Sequence, residues 1–123
     1  MPFEKNPVFE FECTDRRTPF RLKNTVSFHS KKGGEIVVVD EGFEFDGASI
    51  PKMFSPLVGC RHDERYLRAA LVHDKLCISR ELTWQRTHQI FKEILLESNV
   101  NIFRANLLYS AVFVGGPRWK IAK

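Results

Sequence analysis

The chain is poor in the features that announce a function by themselves. Its three cysteines, Cys13, Cys60 and Cys77, form no Cys-x-x-Cys pair, and an odd count excludes a fully paired disulfide framework. Met1-Pro2-Phe3-Glu4-Lys5 leads into a charged strand rather than the apolar core of a secretory signal. The longest apolar stretch, around Leu107 to Val114, falls far short of the ~20 residues that cross a bilayer. These absences lead us to expect free thiols, a reducing compartment and a soluble cytoplasmic protein with no membrane span. Basic residues outnumber acidic ones by 19 to 15, giving a net charge of +4. They are dispersed, as in Arg16-Arg17, Lys31-Lys32 and Arg118 to Lys123. No long Lys/Arg run interleaved with aromatics is found, which argues against nucleic acid as the partner. No aspartate follows Asp74.

What the chain does contain is enough for one folded domain over 1–123. Hydrophobic residues at 43% and charged residues at 28% are ordinary globular values. Eleven phenylalanines offer large apolar area for a core. The first half is extended in pattern. Val8-Phe9-Glu10-Phe11-Glu12 alternates, Phe20 to Leu22 and Val26 to His29 follow, and Lys31-Lys32-Gly33-Gly34 supplies a hairpin turn into Glu35-Ile36-Val37-Val38-Val39. Phe43-Glu44-Phe45 is a last short strand that delivers Asp46. The second half has helical spacing. Asp63 is suited to cap a helix running to about Ile78, and Thr83 a second helix whose inward stripe is Trp84, Thr87, Phe91, Ile94, Leu95 and Ser98. A third runs from Asn101 to Val114 and stops at Gly115-Gly116-Pro117. The expected class is α+β: a small N-terminal antiparallel sheet, then a cluster of three helices.

The chemistry concentrates at two places. One is the loop Asp46-Gly47-Ala48-Ser49-Ile50-Pro51; the other is His73-Asp74 on the first helix, where Tyr66, Ala69, Ala70, His73 and Cys77 share a face. His88 lies on the inward stripe of the second helix, where it can meet the first. An acidic loop facing a helical imidazole is a way to build a hydrolytic or metal site, and equally a way to build a buried polar brace. His-Asp phosphohydrolases need a further downstream Asp, which is missing. A zinc site would draw on His62, His73, Cys60, Cys77 and His88, whose spacing matches no standard knuckle. In the arrangement of secreted phospholipases a helical His activates water and the next Asp binds calcium. Here His73-Asp74 and the Asp46 loop follow that order, with His88 where the orienting Asp would stand. The divalent cation of such a site would be held by Asp46, His73 and Asp74. Ser49 is an alternative nucleophile with His73 as base, though it lacks the Gly-x-Ser-x-Gly elbow.

Three segments carry a family resemblance: Gly42-Phe43-Glu44-Phe45-Asp46-Gly47-Ala48-Ser49-Ile50-Pro51, then Ala69-Ala70-Leu71-Val72-His73-Asp74, then Trp84-Gln85-Arg86-Thr87-His88-Gln89-Ile90-Phe91. Over roughly residues 20 to 119 the chain resembles the phage-associated domain of unknown function 1353 family. Its pattern runs Gly-Phe-x-x-Asp-x-Ala-Ser-Ile-Pro, Ala-Ala-x-x-His-Asp and Arg-x-x-Ala-Asp-x-x-Phe. The chain departs at the final Ala-Asp, which reads Thr87-His88. The resemblance implies a phage or prophage setting: the host cytoplasm or the virion. Two functions are expected. One is a hydrolase of lipid, peptidoglycan or another ester or amide in lysis or entry, with His73, Asp74, Asp46, His88 and Ser49 as its catalytic set. The other is a non-catalytic phage protein, a virion component or an inhibitor of a host defence complex, with an undefined phage or host partner.

Thiol titration of the denatured, unreduced protein should find all three cysteines reactive; a count of one would mean a disulfide.

Overall fold

The structure, a computed structural model, describes residues 7–11, 20–45 and 64–120. The alternating segments form strands β1 (Phe9–Phe11), β2 (Phe20–Leu22), β3 (Val26–His29), β4 (Ile36–Val39) and β5 (Glu44–Phe45); helices α1 (Glu64–Ser79), α2 (Trp84–Glu97) and α3 (Ile102–Gly115) follow. The architecture is α+β. The strands pair antiparallel in two ladders, β1-β2-β5 and the hairpin β3-β4. In the hairpin Val26 faces Val39 and Phe28 faces Val37. This register puts all four side chains on the buried face, since side chains alternate along a strand. Gly34 closes the turn at φ +76°, a conformation that costs glycine little.

Ala69, Ala70, Leu71, Val72 and Leu76 of α1 and Ile90, Phe91, Ile94 and Leu95 of α2 are buried with the strand residues in one core. α2 is the central helix, packed on α1 along one side and on α3 along the other. Its start is fixed by Thr83, whose side chain accepts from Arg86 N at 3.1 Å. Asp63, the expected cap of α1, lies outside the described residues.

The turn between α2 and α3 is compact because three residues do three jobs. Asn99 takes φ 67°, and asparagine tolerates the left-handed region better than most side chains. Val100 N then donates to Leu95 O at 3.0 Å and Asn99 N to Leu96 O at 3.1 Å, the bond pattern that satisfies orphan carbonyls at a helix end. Asn101 caps α3 by accepting from Phe103 N at 2.8 Å. Among the described residues no helix is long and apolar enough to cross a membrane.

One polar network ties the hairpin turn to α2. Arg86 holds Glu35 with two bonds, Nε to Oε2 at 2.6 Å and Nη2 to Oε1 at 2.9 Å, and donates to Ser30 Oγ at 2.8 Å. Ser30 Oγ donates in turn to buried Glu93 Oε1 at 2.8 Å, whose other oxygen accepts from Lys31 N at 3.1 Å. The guanidinium bonded to Glu35 holds that carboxyl below its ordinary range, and the Glu35 carboxylate in turn raises the pKa of Arg86. Removing the arginine would strand the Glu93 carboxylate, a buried charge, among neutral partners. Arg86→Ala should therefore cost about 3 kcal/mol, read as a lower urea midpoint, while Gln85→Ala on the exposed side should leave the midpoint unchanged.

Candidate functional site

The small side chains of Ala69 and Ala70, both fully buried, allow close approach to α1. His73 leaves the same face one turn later, and Thr83 sets α2 so that His88 meets it. His73 Nε2 lies 2.7 Å from His88 Nδ1, and the ring centroids are 4.9 Å apart. His88 Nε2 reaches the Pro117 carbonyl at 3.1 Å. A carbonyl only accepts, so His88 Nε2 carries a proton. In the neutral ring Nδ1 must then accept, and His73 must donate from Nε2. His73 Nδ1 is thereby left as that ring's basic nitrogen.

The pair sits in an aromatic enclosure. Phe91 lies 5.1 Å from the His73 ring, and Trp84 and Trp119 lie 5.7 and 6.5 Å from the His88 ring. The segment after α3 closes the outer side. Trp119 Nε1 donates to Leu82 O at 2.9 Å, and the Arg118 guanidinium lies 4.6 Å over Trp84. Gly116 makes this closure fit: a Cβ there would run into the Val112 carbonyl and stand 3.2 Å from His88 Cε1.

Electrostatics follow from the enclosure. His73 is only 2% exposed, and burial, with a smaller contribution from His88, pushes its pKa down from the ordinary 6.5 to about 3. His88 is also lowered by burial; the Pro117 carbonyl opposes that and Arg118 adds to it. Cys77 Sγ lies 3.8 Å from both ring nitrogens of His73. Burial first and Asp74 second, against a weaker opposing effect of Arg80, raise its pKa to about 12. It is a thiol at neutral pH, so it is no ready nucleophile. Asp74 Oδ1 stands 3.9 Å from His73 Nδ1, beyond hydrogen-bond reach, and does not offset the burial of the ring. The described part of the site is thus a chain of two neutral imidazoles ending on a carbonyl.

Of the residues singled out in the sequence, His73, His88 and Asp74 come together, with Cys77 beside them. Asp46 and Ser49 lie outside the described residues, as do His62 and Cys60. Among the described residues no group of three or more His, Cys, Asp or Glu could hold a metal ion, so the Asp46, His73 and Asp74 set depends on Asp46. Thr87, next to His88, is fully buried, and its Oγ1 has no hydrogen-bond partner among the described residues. Sequence reasoning took Gly115-Gly116-Pro117 as a helix stop and missed that it also delivers the carbonyl partner of His88. The adjacent pair of glycines was the available signal.

The family described as protein of unknown function (DUF1353) matches residues 20–112. The chain belongs to this family. Two relatives are uncharacterized proteins of Sinorhizobium fredii. One, y4iH, is 43% identical over 74 residues, 60% of this chain and 31% of its own length. The other, y4jT, is 32% identical over 119 residues, 97% of this chain and 35% of its own. The chain therefore spans about a third of the length of these curated relatives. No solved structure matches it significantly.

The resemblance read from the sequence implies an Asp in the family pattern where this chain has His88. Asp Oδ1 and His Nδ1 are both bonded to Cγ, so the exchange keeps an acceptor in front of His73 and removes its negative charge. His88→Asp should raise the His73 pKa, because a carboxylate favours imidazolium; NMR titration of both proteins reads the shift. In the unsubstituted protein the linkage has a definite sign. The unfolded chain binds a proton near 6.5 that folded His73 refuses until about 3. Stability is therefore full above pH 6.5 and is lost progressively as pH falls through this window, measurable as a declining urea midpoint.

Proposed function

We propose that the chain is a non-catalytic binding protein of phage or prophage descent, a virion component or an inhibitor of a host defence complex, in which His73 and His88 brace α1 against α2. One observation carries this reading: His73, which stands where a general base would, is buried at 2% exposure and donates to a neutral imidazole. A base works best with a pKa near the operating pH, and burial holds this one at about 3. An acceptor without charge also gives little support to an imidazolium forming in a reaction. Buried polar groups that satisfy each other fix the register between packed elements, and the bond between the rings and its continuation to Pro117 do that for α1, α2 and the tail. The DUF1353 membership supports the phage setting through the family resemblance.

The competing reading is a hydrolase of phospholipid, peptidoglycan or another ester or amide. The purified chain should release no product above buffer from phosphatidylglycerol vesicles, peptidoglycan or p-nitrophenyl butyrate, with or without calcium. Release that disappears in His73→Gln, with the fold intact by circular dichroism, would overturn the binding-protein reading.

A further inference from the structure

The positive charge of the chain is unevenly distributed. All 15 acidic residues precede Ser98, together with all but four of the 19 basic ones. The net charge of +4 therefore comes wholly from the last segment, from Arg104, Arg118, Lys120 and Lys123. The linear sequence has no run of cations interleaved with aromatics, but the fold assembles one from α2, α3 and the segment after α3. Tyr109 and Phe113 stand one turn apart on α3, with ring centroids 5.7 Å apart, and Trp84 of α2 continues the row 5.3 Å from Phe113. A cation lies over each end. Lys92 Nζ is 5.3 Å from the centre of the Tyr109 ring; the Arg118 guanidinium is 4.6 Å from that of Trp84 and 5.9 Å from that of Phe113. The three rings are half-buried, and Arg118 is exposed. Arg118 also donates to the Phe113 carbonyl at 3.0 Å. That bond and the ring beneath hold the guanidinium in place, yet neither carries a net charge to cancel its own. Among the described residues no carboxylate pairs with Arg118 or Lys92.

We propose that this ribbon binds single-stranded nucleic acid, with bases stacked on the Arg118 guanidinium and the Trp84, Phe113 and Tyr109 row and phosphates drawn to Arg118 and Lys92. The inference goes beyond the reading of the His73 and His88 pair as a brace and does not rest on it. Unpaired bases stack on aromatic faces and on guanidinium planes, and every base has such a face to offer, so the ribbon needs no sequence code. A duplex keeps its bases stacked on one another and presents only phosphates. An acidic peptide or an anionic lipid headgroup would engage the cations and leave the rings without a role. Rings and cations in alternation, joined from segments distant in the chain, match a strand that alternates bases with phosphates.

The test uses the whole protein and fluorescence anisotropy. The probes are a fluorescein-labelled DNA single strand of about fifteen nucleotides, an abasic strand of equal length and charge, the matching duplex, and phosphatidylglycerol vesicles. The single strand should bind with a dissociation constant in the micromolar range, and the abasic strand and the duplex at least about tenfold more weakly. The logarithm of its affinity should fall with that of salt concentration at a slope of roughly −2, as for about three phosphates on a single strand. Arg118→Glu, Lys92→Glu and Tyr109→Leu should each weaken it by about tenfold. Lys32→Glu, the same change of charge on the hairpin turn, should alter it by less than about twofold. Circular dichroism and the melting temperature check each fold, and Lys92→Glu carries the test from α2 if Arg118→Glu loosens the tail. No binding of the strand would overturn the proposal. Equal binding of the abasic strand or the duplex, preference for the vesicles, or a loss in Lys32→Glu as large as in Arg118→Glu would reduce the surface to unspecific charge and overturn it as well.

Discussion

The bond between His73 and His88 can form in only one way. Each imidazole has two nitrogens, and at 2.7 Å one must donate and the other accept. Placing the Pro117 carbonyl at the far nitrogen of His88 fixes the proton there, and every other assignment follows. The arrangement requires both rings to be neutral in defined tautomers, so it requires the dry enclosure that Phe91, Trp84 and Trp119 provide. α1, α2 and the segment after α3 are consequently held by a single line of hydrogen bonds through the helical half of the domain. A second polar line, from Glu35 through Arg86 and Ser30 to Glu93, holds the hairpin to the opposite face of α2. The central helix is thus registered against its neighbours by directional bonds on two faces, with undirected apolar packing around them.

An imidazole at residue 88 gives the site a different character from the one a carboxylate there would give, within a similar outline. A carboxylate facing His73 would make the ring a competent proton acceptor; a second neutral ring makes it a fixed donor. The added length of His88 is used, since its outer nitrogen reaches the tail. His88 therefore adds to the low basicity that burial imposes on His73 and attaches the chain beyond α3 through Pro117.

Much of this was legible in the sequence where the cause is local. Alternation gave the strands, Thr83 marked the start of α2, and three- and four-residue spacing put His88 inward. The break at Gly115-Gly116 ended α3 within a residue of expectation. The parts that were not legible join residues far apart in the chain. Nothing near Arg86 reveals that its carboxylate partner is Glu35, and nothing near His88 points to Pro117. Asn99 was passed over because a left-handed helix end is set by one backbone angle rather than by a pattern. The readings of Asp46 and Ser49 fall on residues outside those described.

The tail that closes the site has an optical consequence. The chain contains two tryptophans, and both lie beside the same imidazole, Trp84 at 5.7 Å and Trp119 at 6.5 Å from the His88 ring. Each is also covered by a cation, Arg118 over Trp84 and Arg80 over Trp119. Indole emission responds to the charge and water around the ring, so the whole tryptophan fluorescence of this molecule originates within one small volume. Loosening of the last residues against α2, or a proton arriving on His88, would alter the light from both fluorophores together, giving the protein an intrinsic gauge of its own interior that needs no label.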